Sequence, residues 1–372
     1  MNKLKLFFLT LVAALMMATP VAAQPAPEAD AHAAANHGDG KFNPKDIIFS
    51  HLGDGYGWEV PFNHHERIPL PVILWAADGS WHCFSSSHIT HHEPYTDGNY
   101  TWVLATEGAN KGKVVQLLSD GSELKPKFDF SITKNVCAIW ISVLVVLLLG
   151  FKVARWHKRN GMKAPRKFTG AIEALIEFVY NGVVKPTLGA DARRWAPYLL
   201  TVFLFIFVTN LLGLMVIFPG GANVTGNIAV TLVLSLITFF CTNLFARKHY
   251  WKEIFWPDVP MFLKCPLPIM QVIELFGALT KPASLTVRLF ANMMGGHMIV
   301  IVLTLIIFIM ADFGMAAAGV ATGVSIFFTI FMLLLDVLVS FIQAFVFTML
   351  STTFIAMAQE RGHDELHEHT KE

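Results

Sequence analysis

The chain has 372 residues, of which 54% are hydrophobic and only 15% charged, well below the roughly 25% of an average globular protein. The apolar residues gather in long runs that alternate with basic loops, which excludes one large soluble core and points to a polytopic membrane protein. The formal charge of +1 averages over separate compartments, and the basic residues cluster where apolar runs end, so they point to a membrane surface and not to nucleic acid.

The sequence opens MNKLKLFFLTLVAALMMATPVAAQ. Lys3 and Lys5 form a positive n-region, Leu6 to Met17 an apolar h-region, and Val21-Ala22-Ala23 the small residues before a cut. Residues 1–23 therefore read as a secretory signal peptide. Residues 24–40, rich in Ala, Pro, His and Asp, read as a flexible leader. From 41 to 130 the character changes. VILWA, SWHCF, YTWVLA and KVVQLL are short β-branched and aromatic runs, separated by turn signals at Asp78-Gly79, Asp97-Gly98 and Asp120-Gly121. They predict a small β-rich domain on the exported, periplasmic side. Histidines are frequent here (His32, His37, His51, His64, His65, His82, His88, His91, His92), but no spacing among them is diagnostic of a metal site. Cys137 and Cys241 lie in apolar runs and Cys265 beside one, which leaves Cys83 alone outside; no disulfide framework follows.

The region 131–360 carries the spans. The first is VCAIWISVLVVLLLGF, 136–151, followed by KVARWHKRNGMKAPRK, whose density of Lys and Arg marks a cytoplasmic loop. The mature amino terminus is then outside, as the signal peptide also requires. Residues 168–184, with Glu173 and Glu177 one turn apart, predict an amphipathic helix on the cytoplasmic face. PYLLTVFLFIFVTNLLGLMVIF (197–218), a PGGANVTGN loop and IAVTLVLSLITFFCTNLF (228–245) form a transmembrane hairpin with its turn outside, ending in the basic ARKHYWKE. The last two segments, 262–311 and 318–358, exceed the ~20 residues a perpendicular span needs, so they must tilt, kink or extend beyond the hydrocarbon. The prediction is an all-α polytopic membrane protein with five spans, the last two long and tilted. One cytoplasmic amphipathic helix, the small β-rich exported domain and a charged cytoplasmic tail (361–372) complete it.

Ionisable residues at membrane depth cost at least ~2.5–3.5 kcal/mol each. Those in the last two spans are Glu274, Lys281, Arg288 and His297, then Asp336 with Gln343. Asn292 follows Arg288 by four residues and shares its face, as does Gly295. His297 lies nearly opposite Arg288 around the axis and about 13 Å nearer the outer surface. Glu274 lies about 21 Å towards the cytoplasm, although Pro282 intervenes and is expected to bend the helix. Asp336 and Gln343 share a face of the antiparallel last span. Gln343 can then lie at the depth of Arg288, and Asp336 at that of His297, where a His–Asp pair could relay protons. Lys281 reads as snorkelling to the cytoplasmic surface. Arg288 has no acid in reach within these spans, so its counter-charge is expected from another subunit.

KPASLTVRLFANMMGGH, followed by FIQAFVFTMLSTTFIAMA, resembles the signature of subunit a of F-type ATP synthase, the stator of a membrane proton motor. VTNLLGLM and TGNIAVTLVLSL resemble the same family's middle hairpin. The likeness covers roughly residues 130–360 and says nothing about the long segment before it. It implies that Arg288 is the family's essential arginine, facing a rotating c-subunit ring. It implies that His297 and Asp336 line the outer access channel, that Glu274 belongs to the cytoplasmic exit, and that Asn292 and Gln343 are polar neighbours of the arginine. The glycines beside Asn292 then read as a surface that lets the ring pass. The implied partners are the c ring, the b-subunit stator stalk, the other synthase subunits and the lipid bilayer, without nucleic acid. The implied location is the cell inner membrane, and no cofactor or catalytic residue is implied. No G-x-x-x-x-G-K-[ST] phosphate loop is present, so ATP chemistry belongs to other subunits. The competing readings are a stand-alone channel or secondary transporter, and an exported binding module on a membrane anchor. The first needs its own substrate site and usually an internal repeat, neither of which the sequence displays. The second leaves Arg288, His297 and Asp336 without a purpose.

Overall fold

The computed structural model describes residues 53–360, apart from 61–62, 90–93, 106–109, 111, 119–121, 162, 166, 216–219, 256–268 and 312–314. The expected signal peptide, leader and charged tail, together with Cys265, lie outside the described residues.

The amino-terminal part is a β domain, as its alternating aromatic runs predict. Its strands are β1 (Gly57–Val60), β2 (Asn63–Pro69), β3 (Pro71–Trp75), β4 (Trp81–Ser85), β5 (Tyr95–Asp97), β6 (Tyr100–Leu104), β7 (Val114–Leu117), β8 (Glu123–Leu124) and β9 (Phe128–Asp129). They form a β1–β2 hairpin, a three-stranded sheet ordered β4-β3-β9 and a four-stranded sheet ordered β5-β6-β7-β8, with every pairing antiparallel. Gly98 turns β5 into β6 at a positive φ of 63°, where a side chain would be strained. The inward residues Val72, Leu74, Phe84, Trp102, Leu104 and Val114 make one apolar core with Tyr56 and Ile89. The period of two should leave the outer face of the β3–β4–β9 sheet polar. Instead Trp75 stacks on Trp81 at 5.2 Å, with Phe128 and Phe130 against them.

Among the described residues the longer helices that follow are α1 (Lys134–Asn160), α2 (Lys167–Val179), α3 (Ala192–Leu214), α4 (Ile228–Leu244), α5 (Lys248–Phe255), α6 (Ile269–Ala311) and α7 (Met315–Gln359). Four helical stretches among the described residues are long and apolar enough to cross a membrane, and α4, with 17 residues, is a shorter apolar helix. The chain is a multi-pass membrane protein. The expected surface helix and the span after it are not separated by a loop. A π-turn at Tyr180–Val184, a helical turn at Lys185–Leu188 and a 3-10 turn at Gly189–Asp191 carry α2 into α3. α6 continues unbroken through Pro282, whose carbonyl also accepts from Thr286 Oγ1.

The described residues divide into two compact units. The first holds the β domain and the chain to Leu144, together with Val208–Val230 and Phe290–Ser340. Within it, buried Asp54 accepts bonds from its neighbour Gly55 N, from Asn135 N and from Thr133 Oγ1, at 2.7–3.0 Å. Lys134 N donates to Gly55 O. The root of the β domain is thereby fixed to the start of α1.

The second unit comprises Val145–Phe207, Thr231–Leu289 and the chain from Phe341 onwards. Aromatic rings dominate its packing: Phe178 of α2 meets Phe341 and Phe345 of α7, and Phe341 meets Phe203 and Phe207 of α3. Polar side chains inside it bond across helices, Tyr198 to Thr238 at 2.8 Å and Ser235 to Thr286 at 2.6 Å.

Candidate functional site

α6 carries Glu274, Lys281 and Arg288 in the second unit and Asn292 and His297 in the first. Its buried stripe is Leu285, Leu289 and Met293, four residues apart. The remaining faces include an exposed stripe of Ser284, Arg288, Ala291 and Asn292. Among the described residues Arg288 makes no ion pair or hydrogen bond, and none joins it to Gln343, which is buried in α7. Lys281 does not simply reach away from the protein: its Nζ lies 5.3 Å from the centre of the Phe354 ring and 6.0 Å from that of Tyr250. Glu274, seven residues earlier, is half-buried.

The first unit holds His297 and Asp336. Asp336 is 8% exposed, and its carboxylate rests on the backbone of α6 at Gly296. A methyl at Gly296 would lie 2.6 Å from Asp336 Oδ1, so this glycine is the seat of the acid. At Gly295 nothing stands within 4 Å of the same position, and that glycine is open. His297 is one residue further, about 100° around the helix, and its imidazole turns elsewhere. Its Nε2 is 3.7 Å from the point where a methyl on Gly213 of α3 would stand. The expected His–Asp neighbours thus share one unit but are not hydrogen-bonded. His297 Nε2 and Asp336 Oδ2 are both buried without a partner.

Sequence reasoning passed over a polar group in the same unit. Thr225 Oγ1 donates to Asn210 Oδ1 at 2.7 Å, and Asn223 Oδ1 accepts from Gly226 N. Thr209 Oγ1, Asn210 Nδ2 and Asn223 Nδ2 remain buried without partners. A protein interior tolerates few such atoms, yet the 208–230 and 290–340 stretches of this unit hold five, counting His297 Nε2 and Asp336 Oδ2. The signal was available: Thr209 and Asn210 interrupt the apolar run VTNLLGLM at membrane depth.

A second cluster lies in the β domain. Ser80 Oγ is 2.9 Å from His82 Nε2, and His82 Nδ1 is 2.8 Å from Asp97 Oδ2, the order of a nucleophile, base and acid. The single proton of Ser80 is directed at Asp78 Oδ1, 2.7 Å away, so the hydroxyl is not freed for attack. Asp78 also accepts from Tyr100, and these bonds hold its carboxyl down to about 2. The network pins β4 to the β5–β6 hairpin. Among the described residues no three His, Cys, Asp or Glu side chains converge as a metal site.

The profile of the ATP synthase A chain family matches residues 136–356, more than half of the chain. The chain belongs to the ATP synthase A chain family. All six residues singled out in the sequence, Glu274, Arg288, Asn292, His297, Asp336 and Gln343, fall inside the portion matched to the ATP synthase A chain. Residues 47–135, which include the β domain, match a family described only as a domain of unknown function, DUF8433. Similar ATP synthase A chain members include ATP synthase subunit a 2 of Chlorobaculum tepidum, 43% identical over 243 residues, or 65% of this chain and 66% of that protein. ATP synthase subunit a of Chlorobium phaeobacteroides (strain BS1) is 42% identical over 240 residues, 64% of this chain and 69% of its own. ATP synthase subunit a of Anaeromyxobacter sp. (strain Fw109-5) is 31% identical over 327 residues, 86% of this chain and 72% of its own. That last match is too long to lie within residues 136–372, so it extends into the DUF8433 portion.

Proposed function

We propose that this chain is the proton-translocating subunit a of an F-type ATP synthase, non-catalytic by itself. The observation that carries the reading is Arg288: a permanent cation on a long apolar helix, exposed and unpaired among the described residues, on a stripe with Ser284 and Asn292. Such a charge is unfavourable unless a partner supplies an anion. A ring of c subunits, each with a membrane carboxylate, meets that need once per passing subunit. The small residues on the stripe allow the close approach. Arg288 keeps the passing carboxylate ionised and blocks a direct leak between two offset half-channels.

His297 and Asp336 serve the outer half-channel. Their unpartnered buried atoms, with those of Asn210 and Thr209, suit a polar path that takes up and hands on a proton. Glu274 serves the cytoplasmic exit, and Asn292 and Gln343 are the arginine's polar neighbours. On this reading five helices cross the inner membrane, the β domain stands outside, the C-terminus is cytoplasmic, and the b stalk and the remaining synthase subunits complete the assembly. The test is Arg288→Ala in membrane vesicles. ATP-driven proton pumping and ATP synthesis should both fall to background while the c ring still co-purifies. Pumping at the wild-type rate overturns the mechanism.

A further inference from the structure

The unassigned β domain belongs to the same unit as His297 and Asp336. Trp58 of β1, only 2% exposed, donates its indole N–H to the carbonyl of Gly220 at 3.0 Å, across 162 positions of sequence. Gly220 is also buried. It belongs to the loop between α3 and α4, which folds back on the end of α3. Gly221 N donates to Leu212 O, and a side chain on Gly220 would strike the carbonyl oxygens of Met215 and Leu212. Gly221 takes a φ of 78°, which reverses the chain. Immediately after the reversal, Ala222 O lies 3.3 Å from the point where a methyl on Gly213 would stand; His297 Nε2 lies 3.7 Å from that same point. The next loop residues reach the same neighbourhood, since Thr225 bonds Asn210. From the indole of Trp58 to the imidazole of His297 the chain of contacts is therefore one loop and one bare glycine deep.

We propose that the β domain is a working part of the outer half-channel. Trp58 is a positioning residue that holds the 220–227 loop as the wall facing His297. The proposal rests on the proton-translocating reading above. The attachment suits this task. Asp54 fixes the root of β1 to Thr133 and Asn135 at the head of α1. Trp58, four residues on, then reaches the loop from a fixed base. A buried indole N–H that loses its acceptor is penalised, so the bond sets where the loop rests.

The test uses the whole ATP synthase complex in vesicles. Trp58→Phe keeps an aromatic ring and removes the donor. A loosened wall should slow proton conduction by roughly threefold or more, the range for mutations that act on a site without touching its ligand. It should also shift the dependence of conduction on outer-side pH, which a purely structural role would leave in place. In a Cys83→Ser background, Ala222→Cys should react faster with an outside-added, membrane-impermeant maleimide when Trp58 is Phe. Wild-type conduction, pH profile and labelling rate in Trp58→Phe overturn the proposal. If Trp58→Phe fails to assemble, Ala222→Cys with Trp58 intact carries the test. A maleimide adduct at residue 222 should lower conduction, and an adduct without effect overturns the proposal. Pumping retained by Arg288→Ala, in contrast, removes the translocation reading itself.

Discussion

At Gly296 the space of the missing side chain is taken by the carboxylate of Asp336. Gly296→Ala should push the acid off α6 and reduce ATP-driven pumping by roughly tenfold or more, as small displacements at a reacting group do. Gly295→Ala meets no atom of this chain and should leave Asp336 seated, so it should lose less pumping than Gly296→Ala. Fluorescence-quenching assays on vesicles separate the two variants, and equal activities would contradict the assignment of the seat. The sequence picked out both glycines for their nearness to Arg288 and could not choose between them. Spacing along one helix tells which face a residue occupies, but not what comes to lie on it. His297 and Asp336 were placed at one depth by counting, and they do share a unit. Counting does not give the direction of the imidazole, which follows Gly213 and not the acid.

Helices were legible where hydrophobic runs and basic flanks agree, as for α1. They were less so where packing overrides a local signal. Pro282 reads as a bend, and the chain stays helical through it, with Ala278 and Leu285 buried on either side. The residues between the predicted helix at 168–184 and the predicted span at 197–218 carry no signal of their own, and they fold as consecutive helical turns. The amphipathic pattern of 168–184 was clear, but its anchor was not. Phe178 is 55% exposed, and its ring stands 5.7 Å from Phe345 and 6.3 Å from Phe341. Phe178→Ala should weaken the docking of α2 by about 1 kcal/mol for each of these aromatic pairs. Hydrogen exchange of the α2 amides should then accelerate while those of α7 stay protected. Unchanged exchange would assign the anchoring to Ile172 and Val179 instead.

Across the whole chain, Asp54 ties the start of the portion matched to a domain of unknown function to its end, just before the ATP synthase A chain portion begins at residue 136. Nothing in HLGDGYG marks this residue, since Thr133 and Asn135 lie 79 and 81 positions away. Burial pushes its carboxyl above the ordinary carboxylate range even against the bonds it accepts. A raised folded-state value favours the protonated form, so the stability it contributes is complete below the ordinary carboxylate value. That contribution is lost as pH rises through the raised value. Exchange protection of the Gly55 and Asn135 amides should therefore increase as the medium is acidified through that window. In Asp54→Asn the pH dependence should flatten. Protection that climbs with pH in the wild type would reverse this account of the root.

The aromatic outer face of the β3–β4–β9 sheet has an optical consequence. Trp75 and Trp81 lie nearly parallel, 15° apart, and among the described residues no other two tryptophans stack. Neighbouring indoles so arranged share their excitation, giving a paired band in circular dichroism that the described helical tryptophans, none of which stacks on another, do not produce. The exposed thiol of Cys83, on the same strand as Trp81, accepts a dye within energy-transfer range of that pair. The β domain thus carries a built-in light source and a place for its detector, so its folding can be followed inside the intact assembly from its own tryptophans and one labelled thiol.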